Sequence, residues 1–121
     1  MGANATLIQS AYDAFGRGDI PAVIAMLDGN VEWTSPSILP QGGEYSGPAQ
    51  VGKFFETIGA SWETLGLTIE SVEEAGTNVI GIARGAGTLK DGTPKSYNLV
   101  HVFEVANGKI RRMREYVSDA G

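Results

Sequence analysis

The stretch Ser96-Tyr97-Asn98-Leu99-Val100-His101-Val102-Phe103-Glu104-Val105, followed by Ala106-Asn107-Gly108 and then by Ile110 to Val117, decides the fold of this chain. β-Branched and aromatic residues dominate both runs, and Asn-Gly suits a tight turn, so the spacing predicts a C-terminal β-hairpin. Its register has functional weight. A strict two-residue Asn107-Gly108 loop pairs Val105 with Ile110, His101 with Arg114 and Val100 with Glu115, which places His101 and Glu115 on opposite faces. A three-residue loop that includes Ala106 pairs His101 with Met113 and leaves it diagonal to Glu115 on a shared face.

Upstream, Leu67 to Glu74, Asn78 to Leu89 and Lys95 to Val105 are separated only by Ala75-Gly76-Thr77 and Asp91-Gly92. Connections this short demand antiparallel neighbours. Gly81, Gly85 and Gly87 within one strand are costly there and mark a bend or bulge that curves a sheet. The N-terminal half has a different period. Asn4 or Thr6 can cap a helix to about Phe15, with Leu7, Ile8, Ala11, Tyr12 and Phe15 on one face. Asp19 can cap a second helix with Pro21 in its first turn, which Gly29-Asn30 ends before a short strand, Val31 to Thr34. Ser35 to Gly47 reads as a glycine- and proline-rich loop able to rim a site, and Pro48 opens a third helix burying Val51, Phe54, Phe55, Ile58 and Trp62. Helices first and a meander afterwards predict an α+β domain in which a curved sheet wraps a long helix and leaves a cavity.

A chain of 121 residues with 42% hydrophobic and 19% charged residues fits one domain spanning 1–121 with a single core. Its net charge of -5 argues against a phosphate-backbone binder, so no nucleic acid partner is expected, and Lys109, Arg111, Arg112 and Arg114 split between two faces of a strand. The absence of cysteine removes disulfides and thiolate nucleophiles. With one histidine, no cysteine, and Glu73-Glu74 alternating across a strand, no metal site or other cofactor is expected. No run of apolar residues is long enough for a membrane span, and no basic region followed by an apolar run opens the sequence, so the expectation is a cytoplasmic protein without a membrane partner.

Several strings, in this order, carry a family resemblance: Ala14-Phe15-Gly16-Arg17-Gly18-Asp19, Val31-Glu32-Trp33, Gly47-Pro48, Val102-Phe103-Glu104-Val105, Gly108-Lys109-Ile110 and Glu115-Tyr116. Together they resemble the SnoaL-like branch of the nuclear transport factor 2-like superfamily, across essentially the whole chain. The resemblance implies a cone-shaped α+β barrel, an apolar pocket between helices and sheet, and a homodimer formed through the outer face of the sheet. It also implies the three-residue hairpin loop, which turns His101, Phe103, Met113, Glu115 and Val117 into the pocket.

Three enzyme types of the superfamily give local comparisons. In SnoaL-type polyketide cyclases a histidine and an acid/base aspartate fall at positions resembling His101 and Glu115. Limonene epoxide hydrolase is similar around Ser96-Tyr97-Asn98-Leu99 and Arg114-Glu115-Tyr116; Glu115 matches one catalytic aspartate and Arg84 its bridging arginine, while Ala86 stands where the second aspartate belongs. Ketosteroid isomerase resembles the chain at Tyr12, its oxyanion-hole tyrosine, but Ser35 occupies the position of its base.

The residues themselves allow two readings each. An imidazole ordinarily titrates near neutral pH, so His101 is an acid/base candidate with Glu115 beside it, or else a core or dimer-interface histidine. Glu115 is a general base if desolvated, or the partner of Arg84 or Arg114. Tyr12 offers a hydroxyl to an oxyanion or simply packs. Phe15, Trp33, Phe55, Trp62, Phe103, Met113 and Val117 are expected to line the pocket or the core. The expected function is a small-molecule enzyme using Glu115 and His101, with Tyr12 or Arg84 stabilising negative charge, on an apolar oxygen-bearing substrate by isomerase, cyclase or epoxide-hydrolase chemistry. The alternatives are a non-catalytic binding module and a dimeric interaction domain.

Overall fold

The computed structural model describes residues 2–119. The first helix, α1 (Ala3–Gly16), buries Ala5, Ile8, Ala11, Tyr12 and Ala14. Neither Asn4 nor Thr6 caps it. Gly2 holds the N-cap position without a side chain to offer, and Glu74 from a distant strand accepts the Ala5 amide at 2.7 Å instead. Asp19 does cap α2 (Ile20–Ala25), accepting the Ala22 N–H at 3.2 Å, with Pro21 in the first turn. That helix ends at Ala25, earlier than Gly29-Asn30, because Leu27 already belongs to β1 (Leu27–Ser35) and pairs with Ile110.

β1 turns back through residues 36–42 into β2 (Gly43–Ser46), which leads without a break into α3 (Gly47–Ser61). Val51 and Phe54 are its buried residues. Trp62, expected as the last residue of this helix face, opens β3 (Trp62–Ala75) with extended dihedral angles. Then come β4 (Asn78–Leu89), β5 (Pro94–Ala106) and β6 (Lys109–Asp119). The sheet order is β2-β1-β6-β5-β4-β3, antiparallel except where β1 lies parallel to β6. The sheet is curled around the helices and does not close into a barrel. Register shifts in the β3–β4, β5–β6 and β1–β6 ladders supply the bending, since an extra residue on one strand increases local twist.

Gly81 and Gly85 have a role besides the bend or bulge expected of the β4 glycines, while Gly87 lies beside the β3–β4 register shift, where a Cβ would overlap the Thr64 carbonyl oxygen. Gly81 and Gly85 face inward, and a Cβ at Gly81 would overlap the Tyr12 hydroxyl, while one at Gly85 would lie 2.5 Å from Tyr97 Cζ. They make room for two tyrosine rings. The main core joins Ile8, Tyr12, Val31, Trp33, Val51, Phe54, Phe103, Ile110 and Met113; a second cluster joins Leu39, Trp62, Ala83, Tyr97 and Leu99. Among the described residues no helix is long and apolar enough to cross a membrane.

Candidate active site

The hairpin loop is two residues long, with Asn107 at φ 53° and Gly108 at φ 72°, and Ala106 pairs with Lys109. The three-residue loop is therefore absent. One extra residue sits in β6 instead: Val105 pairs with Ile110 but Glu104 pairs with Arg112, which leaves Arg111 bulged. Parity shifts all the same. Phe103 comes opposite Met113, and His101 comes directly opposite Glu115, not Met113.

The two side chains meet. His101 Nε2 lies 2.7 Å from Glu115 Oε2, His101 Nδ1 lies 2.8 Å from the Tyr12 hydroxyl, and the Ser35 hydroxyl donates to Glu115 Oε1 at 2.6 Å. All four residues are buried. A continuous chain Ser35–Glu115–His101–Tyr12 thus links β1, β6, β5 and α1, and the Tyr12 and His101 rings stack at 5.8 Å between centroids. With a neutral imidazole the Tyr12 O–H donates to Nδ1 and the Nε2–H donates to Glu115; with a protonated one Nδ1–H donates to the Tyr12 oxygen.

Burial acts to raise the Glu115 pKa, but the His101 hydrogen bond and charge and the Ser35 hydrogen bond outweigh it and hold the carboxyl below its ordinary range. The phenols respond in the opposite direction. Burial, reinforced by the Glu115 charge, pushes Tyr12 and Tyr97 above the usual phenol value. Both therefore keep their protons at neutral pH.

The chain borders a cavity of about 60 Å³ lined by Tyr12, Phe15, Trp33, Gln41, Phe54, Phe55, Tyr97, His101, Phe103, Met113 and Glu115, among others. Trp33 anchors an aromatic group there, with Phe54 and Phe55 at centroid distances of 5.7 and 5.9 Å. The lining expected of Phe15, Trp33, Phe55, Phe103 and Met113 is what the structure has. Three expected residues lie elsewhere.

Arg84 points to the outer face, 63% exposed and 3.9 Å from Glu70, so it neither reaches Glu115 nor borders the cavity. Strand alternation explains this, because Ala83 and Gly85 hold the inward positions. Trp62 and Val117 line a separate groove with Ile38, Leu39, Pro40 and Tyr97. Sequence reasoning missed Ser35 as a partner of Glu115, and missed Gln41 and Tyr97 at the cavity wall. Gln41 comes from a loop-like stretch with no periodicity to signal burial, although it is 2% exposed; Ser35, 3% exposed, ends β1 in phase with buried Val31 and Trp33, a strand expected from the sequence to end at Thr34. Among the described residues no group of three or more His, Asp or Glu side chains is placed to hold a metal ion.

The same architecture is found in known structures. An NTF2-like protein from Burkholderia thailandensis superposes with a TM-score of 0.91 at 26% identity, over 98% of this chain and 92% of that one. One from Burkholderia pseudomallei, of unknown function, gives 0.90 at 25% identity over 98% and 92%. A putative SnoaL-like polyketide cyclase from Jannaschia gives 0.82 at 19% identity over 96% and 85%, a likeness of fold alone. Among curated proteins no sequence matches this chain. Residues 8–113 match the SnoaL-like domain, which covers most of the chain and both halves of the Tyr12–His101 contact. The chain belongs to the SnoaL-like domain family.

Proposed function

We propose that this protein is a small-molecule enzyme in which Glu115 takes a proton from an apolar, oxygen-bearing substrate and His101 positions Glu115. The observation that carries the reading is the buried 2.7 Å contact between His101 and Glu115 at the wall of an apolar cavity. Counting lone pairs supports Glu115 as the base. Both ring nitrogens of His101 are engaged, by Tyr12 and by Glu115, whereas each carboxylate oxygen accepts one hydrogen bond and keeps a lone pair. When the imidazole is protonated, Tyr12 accepts from it and its own proton is free for a substrate oxygen. A carboxylate held below its ordinary range is a weak base, which favours a substrate proton acidified by a neighbouring carbonyl. Isomerisation and cyclisation fall within this scheme; epoxide opening would instead need Glu115 to deprotonate an attacking water.

One observation favours a second reading, a dimeric interaction domain of the same fold whose cavity is filled. The cavity of about 60 Å³ is smaller than the roughly 150 Å³ cavity that holds benzene, and Ser35, Glu115, His101 and Tyr12 satisfy one another without a ligand. The test is turnover of a panel of small enones, epoxides and 1,3-dicarbonyl compounds followed by NMR. Glu115→Gln is expected to lower the rate at least about a hundredfold. Turnover unchanged in both Glu115→Gln and His101→Ala overturns the enzyme reading; ligand binding by the wild type without turnover supports a non-catalytic binding module, and neither binding nor turnover supports the interaction domain.

A homodimer through the outer face of the sheet belongs to the same proposal. Its support is a row of apolar side chains, Ile82, Val100 and Tyr116, paired across β4, β5 and β6, with Ile82 39% and Tyr116 54% exposed. Cytoplasmic residence is also proposed, on the sequence reading alone.

A further inference from the structure

We propose that Gln41 is the ligand-anchoring donor of the cavity, and that the ligand presents a neutral carbonyl oxygen to its side-chain amide. The inference deepens the acid/base reading and rests on it for the choice of a carbonyl; the assignment of Gln41 as a donor stands on its own contacts.

Gln41 is held from two sides. Its backbone carbonyl accepts the Tyr45 hydroxyl at 2.8 Å, and its Oε1 accepts the Trp62 indole N–H at 3.0 Å. An indole nitrogen can only donate, so this contact fixes which end of the amide faces Trp62 and leaves the NH₂ group for the cavity that Gln41 lines. Among the described residues no side-chain hydrogen bond uses Nε2, and the atom is not one of the fully buried unpaired ones, so it stays accessible from the cavity. A donor at an apolar cavity wall with no protein acceptor favours a ligand that supplies one. The loop that carries it is already folded: Leu39 N–H donates to Pro36 O at 3.1 Å and Gly42 N–H to Leu39 O at 2.9 Å. A Cβ at residue 42 would overlap the Pro36 carbonyl oxygen, so Gly42 is what lets this turn close.

The charge at the cavity wall selects among acceptors. Glu115 is ionised at neutral pH and no lysine or arginine lines the cavity, so an anionic ligand meets repulsion in a low-dielectric site. A protonated amine has no lone pair for Nε2. A neutral carbonyl accepts from Gln41 and also acidifies the adjacent C–H, which is what a weak carboxylate base requires.

The experiment measures binding of two isosteric probes by NMR titration: butan-2-one, and 2-methyl-1-butene, in which C=CH₂ replaces C=O. In Gln41→Leu the ratio of ketone to alkene affinity is expected to fall about five- to tenfold, the size of one hydrogen bond. Because Gln41→Leu leaves the Trp62 indole unpaired, the double variant Gln41→Leu/Trp62→Phe removes both groups and should show the same fall. Trp62→Phe alone frees the amide to rotate and should lower the ratio by less. An unchanged ratio in Gln41→Leu overturns the proposal, as does a fall that disappears in the double variant. Binding and turnover separate the two readings. A Gln41-dependent ketone preference in a protein that turns nothing over sinks the enzyme and keeps this inference; an unchanged ratio with Glu115-dependent turnover does the reverse.

Discussion

Glu115 Oε2 lies 2.7 Å from His101 Nε2 because Arg111 is bulged out of β6. Without that extra residue the two-residue turn would set His101 opposite Arg114 and send Glu115 to the outer face. The same bulge explains why Ile110 and Met113, three positions apart, are both buried. A single irregularity thus aligns the carboxylate with the imidazole and fills the core beneath them.

The pair makes stability depend on pH in a definite direction. Because the folded-state pKa of Glu115 lies below its unfolded value, its contribution is fully present above the unfolded pKa, about 4.3 for glutamate, and is lost as pH falls through the lower folded value. Urea unfolding of the wild type should therefore lose stability across this acidic window. Glu115→Gln, which cannot titrate there, should show a shallower slope between pH 5 and the acid limit of folding (about two pH units at most). Parallel slopes in the two proteins would show that Glu115 is not held below its ordinary range.

The α+β order of the chain, the β3–β4–β5–β6 meander and the stripe Val51, Phe54, Phe55 and Ile58 were legible because each follows a simple period. Trp62 was not, since it continues the helical spacing by one position while the backbone has already become strand. Arg84 of β4 was expected at the site, and it faces outward for a physical reason. The inner positions of β4 are Val79, Gly81, Ala83 and Gly85, small because tyrosine rings fill the space, while the more apolar Ile80 and Ile82 lean outward with Arg84. The family resemblance implied a shared face for His101 and Glu115; the means differed, since a bulge among Lys109, Ile110, Arg111, Arg112 and Met113 has no marker residue such as glycine. Gln41 owes its burial to loop closure over the cavity, which no local pattern announces, whereas Ser35 is buried as the inward end of the Val31, Trp33, Ser35 alternation, one residue beyond the strand expected from the sequence.

Gly81 is the position where that tyrosine packing can be tested. In an ordinary strand Gly→Ala stabilises by about 0.5–1 kcal/mol through backbone entropy. Here the three nearest atoms to an added Cβ all belong to Tyr12, so Gly81→Ala must displace the hydroxyl that bonds His101 Nδ1. The expected result is a loss of about 1–3 kcal/mol in urea unfolding, the usual cost of overpacking. Tyr12→Leu should remove the conflict, so the same Gly81→Ala change in that background becomes neutral or stabilising. A double-mutant cycle with no coupling would place the clash elsewhere.

The outer face gives the remaining prediction. Ile82, Val100 and Tyr116 form one row across three strands, and a second copy meeting this row would bury it against itself around a two-fold axis. Sedimentation of the wild type is expected to report twice the mass of one chain. Val100→Asp places a charge at the centre of the row, where it would face its own copy near the axis, and should shift the protein to monomer. The inner face of β5 is untouched by this change, since Val100 alternates with His101. The hydrogen bonds of His101 should therefore survive, visible as unchanged imidazole NMR signals. A wild type that sediments as a monomer at high concentration would rule out a stable dimer on this face, and a Val100→Asp variant that stays dimeric would move the contact to another surface.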